Sequence, residues 1–259
     1  MPAPPESHPP APATAFAELR DWYRSPLGAL VAEQETRVLQ PFVEELFGYH
    51  LVQIGGIGEA AVHLDGCPIR HKAVLAVDAW SSEAAPGAVV ESFRLPLATD
   101  SLDAVIFPHV LEFSADPYQM LREADRVLIP GGRLLVCGFN PLSLCGLRRW
   151  LPGRRHRVPW NGRFLRYARL GDWMSLMGLQ IERSEVCLFR PPVAGAAMLR
   201  RFAFLERYGA RFWPMLGGIY VVRAVKRVSM IRPIEPRWQR LRPVRTGAIE
   251  PTTRGLTRG

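Results

Sequence analysis

The chain has 259 residues, room for one large α/β domain or two small ones, and its 48% apolar and 22% charged residues are an ordinary globular balance. No apolar run reaches the ~20 residues of a bilayer span. The opening MPAPPESHPPAPATA has no basic segment leading into an apolar one, so it does not read as a secretory signal, and a cytoplasmic location is expected. The net charge of +9 is uneven: residues 1–130 carry 18 acids and 8 bases, residues 131–222 carry 4 and 15, and residues 223–259 carry 2 and 10.

Residues 1–14 are rich in Pro and Ala, and disorder is expected there. Helices are expected over 15–49, where Leu27, Leu30, Val31, Val38, Leu39, Phe42, Val43 and Leu46 recur at helical spacing. Pro26 and Pro41 suit helix starts or breaks, and Gly48 suits a stop. From residue 50 the pattern changes to short apolar runs: HLVQI, AVLAVDAW (73–80), GAVVESF (87–93), LDAVIFPHV (102–110) and RLLVCGF (133–139). DPYQMLREADRVL (116–128) between the last two is an amphipathic helix. Strands apolar on both faces that alternate with helices predict a parallel sheet covered on both sides. Residues 140–170 are long, arginine-rich and aromatic, and read as an insertion or cap over the sheet edge. A helix over 169–178, a strand over 179–191, a helix over 196–212 and a last strand over 217–227 follow, then a basic tail, 229–259, expected to be disordered. Cys67, Cys137, Cys145 and Cys187 are widely spaced without a CxxC pair, and read as buried thiols rather than a metal site or disulfide framework.

In an open α/β sheet, ligands bind beyond the carboxyl ends of the strands. The candidates there are Gly55-Gly56-Ile57-Gly58, Asp78, Glu91-Ser92-Phe93, and His109 with Glu112 three residues on. Glycines allow close approach to the backbone, and a carboxylate after a strand can accept from ribose hydroxyls.

The run from Glu91 to Pro141 resembles the central part of class I S-adenosylmethionine-dependent methyltransferases of the small-molecule, type 11-like group. The matching pieces are Leu95-Pro96-Leu97, Leu102-Asp103, His109-Val110-Leu111-Glu112 and Arg126-Val127-Leu128-Ile129-Pro130-Gly131-Gly132. LREADRVL, GFNP and Asp172-Trp173 resemble a bacterial branch of that group, and the likeness covers about residues 20–227. It implies a Rossmann-like three-layer sandwich: a seven-stranded, mostly parallel sheet with the last strand antiparallel, preceded by a helical extension. It implies S-adenosyl-L-methionine as cofactor, held by Gly55 and Gly56, by Asp78 at the ribose, and by Glu91, Ser92 and Phe93 near adenine, with Gln53 and His109 beside them. The family's loop begins with an acid where this chain has Gln53, and glycines stand where it has Ile57 and Glu59.

Methyl transfer from a sulfonium is an in-line displacement in which positioning supplies much of the catalysis, and a base helps only when the acceptor must lose a proton. His109 is the candidate base; Asn140, Trp160, Tyr167 and Trp173 are candidates for the acceptor pocket. The acceptor is expected to be a small or lipid-like molecule. Two alternatives stay open: a methyltransferase-fold binding protein without turnover, and an RNA-directed methyltransferase or RNA-binding protein. Segments 148–169 and 223–259 could meet an anionic partner, either RNA or a membrane surface.

Overall fold

The computed structural model describes residues 12–55, 64, 66–75, 94–150, 157–192, 198 and 201–227. Helix α1 (Pro12–Tyr23) begins inside the segment expected to be disordered. Proline is tolerated in a first helical turn, and the buried Ala15, Phe16 and Leu19 give this helix an apolar face. α2 (Pro26–Glu44) starts where Ser25 accepts from the Gly28 amide at 3.1 Å. Pro41 does not break α2 but lies inside it. It falls one turn from the end, where the neighbouring Phe42 and Val43 are buried and offset the missing N–H bond.

The strands are β1 (His50–Ile54), β2 (His71–Leu75), β3 (Leu102–Pro108), β4 (Leu128–Phe139), β5 (Leu179–Cys187) and β6 (Ile219–Lys226). They form one sheet in the order β2-β1-β3-β4-β6-β5. Pairings from β2 through β4 are parallel, and β6 runs antiparallel between β4 and β5. The described sheet thus has six strands rather than seven, and the strand expected over 87–93 lies outside the described residues. The antiparallel last strand is as expected.

Alternate residues of the central strands feed two separate cores, which makes three layers. Val52, Ile54, Val105, Phe107, Leu134 and Val136 join Phe16, Leu19 and the inner side of α4 (Pro117–Val127). Leu51, Ala104, Ile106, Leu135 and Cys137 join Leu39, Phe42, Val43 and Leu46 of α2 and its exit. Arg126 of α4 explains why LPL and RVL travel together: its guanidinium donates to the Leu95 and Leu97 carbonyls and to Glu123, which accepts from the Leu95 amide.

Beyond β3 lies the short α3 (Val110–Phe113); beyond β4 lie α5 (Leu144–Leu147) and α6 (Tyr167–Leu176). α6 ends as expected at Gly178, whose φ of 78° needs a residue without a Cβ. The helix expected over 196–212 is described as α7 (Phe204–Phe212), preceded by helical Met198 and Arg201. All four cysteines are buried free thiols, and no metal-binding cluster occurs among the described residues. No helix of the described residues is long and apolar enough to cross a membrane.

Candidate active site at the carboxyl edge of the sheet

β1 is followed directly by Gly55, whose φ of 78° is the left-handed turn that glycine favours. Its amide donates to the Leu75 carbonyl at 2.8 Å, so the segments leaving β1 and β2 start side by side on one edge. A Cβ on Gly55 would lie 3.0 Å from Val110 and 3.3 Å from the Phe16 ring. The glycine therefore admits α1 and α3 to the turn. Gln53 is fully buried and its Nε2 donates to the Gly55 carbonyl at 3.0 Å, so this amide group braces the turn from inside. Gly56, Asp78, Glu91, Ser92 and Phe93 lie outside the described residues.

His109 follows β3 in the left-handed conformation, φ 55°, and its ring is completely buried. Nε2 lies 2.7 Å from Glu35 of α2 and Nδ1 lies 3.2 Å from Glu112 of α3. Phe139 packs on the ring with centroids 4.1 Å apart. Tyr23 donates to Glu35 at 2.9 Å, and the Phe139 amide donates to Glu112 at 2.6 Å. Burial alone would lower the pKa of His109, but the two carboxylates outweigh it and raise it to about 10. The ring is then an imidazolium that donates to both acids. Burial, with Glu35 next to it, likewise holds the Tyr23 hydroxyl neutral by pushing its pKa well up. A cation locked between two carboxylates has no free lone pair at neutral pH, so His109 is not arranged as a general base.

The four residues expected to line an acceptor pocket do not meet. Asn140 spends its side chain on the scaffold, donating to the Met215 and Gly217 carbonyls and accepting from the Leu142 amide. Trp160 is buried against α1 and α2, edge-on to Trp22 at 6.0 Å, and its indole donates to the Cys145 carbonyl at 3.0 Å. The apolar void beside it, between Trp22, Val31, Phe139 and Phe164, is about 10 Å³, the size of one water. Tyr167 bonds Ser184 at 3.2 Å, and Trp173 packs on Tyr118 of α4 at 5.6 Å. The arginine–aromatic interleaving of 148–169 is partly internal packing, with Arg148 over Trp160 and Arg149 over Phe164. In 223–259, Arg223 pairs with Glu182 and Lys226 with Asp100, while residues 228–259 lie outside the described residues.

Sequence reasoning missed Glu35 and Tyr23. The signal was present: Glu35 interrupts the stripe Val31, Leu39, Phe42, where a core-facing acid calls for a buried partner.

The described residues fit S-adenosyl-L-methionine in part. The Gly55 turn stands beside the end of β2, and the rest of the glycine loop and Asp78 follow these two ends in sequence, outside the described residues.

A family described as a methyltransferase domain matches residues 55–136. An uncharacterised Escherichia coli protein, YafS, is 35% identical over 161 residues, 62% of this chain and 65% of that protein. A demethylmenaquinone methyltransferase of Mycolicibacterium paratuberculosis is 40% identical over 65 residues, 25% of this chain and 28% of that enzyme. The chain thus spans less than two thirds of the length of the curated relatives it matches. Among solved structures, the complex between the Haloferax volcanii Trm112 methyltransferase activator and the putative methyltransferase contains a chain that superposes with a TM-score of 0.60 at 17% identity, covering 82% of this chain and 98% of that one. That likeness establishes the fold.

Proposed function

Because the chain carries a methyltransferase domain built on the fold of class I S-adenosylmethionine-dependent methyltransferases, we propose that it transfers a methyl group from S-adenosyl-L-methionine to a small or lipid-like acceptor. The observation that carries this reading is the edge where β1 and β2 end side by side, with Gly55 in a left-handed turn and Asp78 three residues past Leu75. Bound there, the cofactor supplies a methyl group already activated on a sulfonium. Gly55 opens the backbone to it, Gln53 holds the turn in shape, and Asp78 accepts from the ribose, with Glu91, Ser92 and Phe93 toward adenine. Both ring nitrogens of His109 are taken up by Glu112 and Glu35. This histidine is a positioning residue that fixes α2 and α3 around the end of β3. The chemistry then rests on orientation and suits an acceptor that attacks without first losing a proton to the protein.

Titration calorimetry with the full chain tests this reading. Binding of S-adenosyl-L-methionine or its demethylated product is expected, and no heat with either at about millimolar concentration rejects it. Asp78→Ala is expected to weaken binding more than Gln53→Ala, because the Gln53 amide already serves the Gly55 carbonyl.

A further inference from the structure

The outward face of α7 is an aromatic ladder. Phe204, Tyr208 and Phe212 recur every four residues, each more than half exposed, with successive ring centroids 6.5 Å apart. Trp213, Met215 and Leu216 continue it through the turn Pro214–Leu216, at 56%, 77% and 45% exposure. The helix cannot roll to hide these rings. Its inner face is fixed where Gly209 meets the Phe189 ring, and where Glu206 pairs with Arg190 at 3.3 Å and accepts from the Phe189 amide at 3.2 Å. Glu206 is the acid of α7, and it is turned inward. Arg207 and Arg211 are exposed beside the rings. The outer face is thus apolar and positive at once.

We propose that α7 and the turn after it dock on the surface of an anionic lipid bilayer. Aromatic rings belong at the boundary between headgroups and acyl chains, and the flanking arginines complement anionic headgroups. Two alternative occupants fit less well. Nucleic-acid bases would stack on the rings, but Met215, Leu216 and the nearby exposed Leu142, tied to Met215 through Asn140, offer no stacking surface. A second copy in a two-fold dimer would bring the Arg207 and Arg211 of both chains into one interface, with no acid of α7 on that face to offset them. Asn140 pins this face to the carboxyl end of β4, the side of the sheet where ligands bind. The proposal does not require methyl transfer, and its test reads membrane binding alone.

The full chain is sedimented with phosphatidylcholine vesicles and with vesicles that also contain phosphatidylglycerol. Wild type is expected to pellet with the anionic vesicles and to be released by high salt. Phe204→Ser/Phe212→Ser/Trp213→Ser is expected to lose roughly tenfold or more in partition, because membrane affinity scales with the apolar area inserted. Arg207→Gln/Arg211→Gln is expected to weaken it roughly fivefold per charge. The basic segment 228–259 is the same in every variant, so retention by the triple variant at the wild-type level overturns the proposal. So does failure of wild type to pellet with anionic vesicles. So does light scattering that shows a dimer which the triple variant dissolves, or a single-stranded RNA oligomer that binds wild type but not the triple variant. Unchanged thermal midpoints check folding, and the arginine variant decides alone if the triple variant does not fold.

Discussion

His109 is held by two acids that come from different helices. Removing the ring leaves Glu35 and Glu112 facing each other in the core, so His109→Ala is expected to cost ~3–5 kcal/mol. The charge can be read separately through pH. The folded pKa of His109, about 10, lies above its unfolded value near 6.5. The native state therefore holds a proton that the unfolded chain releases over that interval. The resulting stability is complete below the unfolded pKa and is lost as pH rises toward 10, by up to ~1.4 kcal/mol per pH unit. Urea unfolding of wild type and His109→Gln at pH values from about 6.5 to 7.5 isolates this, since free thiols, with a pKa of about 8.5, stay almost wholly protonated there. Wild type is expected to lose stability across the interval and the variant to stay flat. Equal slopes would mean that His109 is neutral in the folded chain.

Elements differed in how plainly the sequence announced them. β3, α4 and β4 were legible because each follows a single rule: runs apolar on both faces for the strands and one apolar side for the helix, with Gly131, φ 82°, near the start of β4. The entry to the helical pair was less so. Gly28 reads as an ordinary helix interior, yet α1 crosses α2 there so closely that a Cβ would overlap the Trp22 carbonyl. That proximity depends on the Asp21–Ser25 turn, in which the Arg24 amide donates to Asp21 and the Ser25 amide to Trp22, and no periodicity encodes it. Gly28→Ala is therefore expected to destabilise by ~1–3 kcal/mol through overpacking against rigid backbone, although alanine is the better helix former. Thermal unfolding checks it, with Gly171→Ala as control. A Cβ at Gly171 meets only Ile181 at 3.6 Å, so that change is expected to be neutral or stabilising.

At the scale of the whole molecule, the mostly parallel sheet with its antiparallel last strand was readable from the family's motifs, while the site was only half readable. Gly55 was placed correctly at the end of β1, but its partners come from Phe16, about forty residues upstream, and Val110, beyond β3. Contacts of that range leave no local pattern. Asn140 and Trp160 read as candidates for the acceptor pocket, when their hydrogen bonds join distant segments of the scaffold. The same long-range packing makes α1 a cover: Phe16 lies over the Gly55 turn and against Phe113 at 5.7 Å, and Tyr23 is anchored to Glu35. If the cofactor enters past α1, binding and the closing of α1 are linked. Hydrogen exchange by mass spectrometry measures that linkage. In the free chain, α1 amides are expected to exchange much faster than those of β3 and β4, which lie in the middle of the sheet with both faces covered. Cofactor at about a hundred times its Kd adds ~2.7 kcal/mol to any state that must release it, roughly a hundredfold in exchange. Slowing of that size in α1 as well as β1 means that α1 opens to admit the cofactor. Slowing in β1 alone means that the cofactor enters by another route and that α1 is a fixed wall.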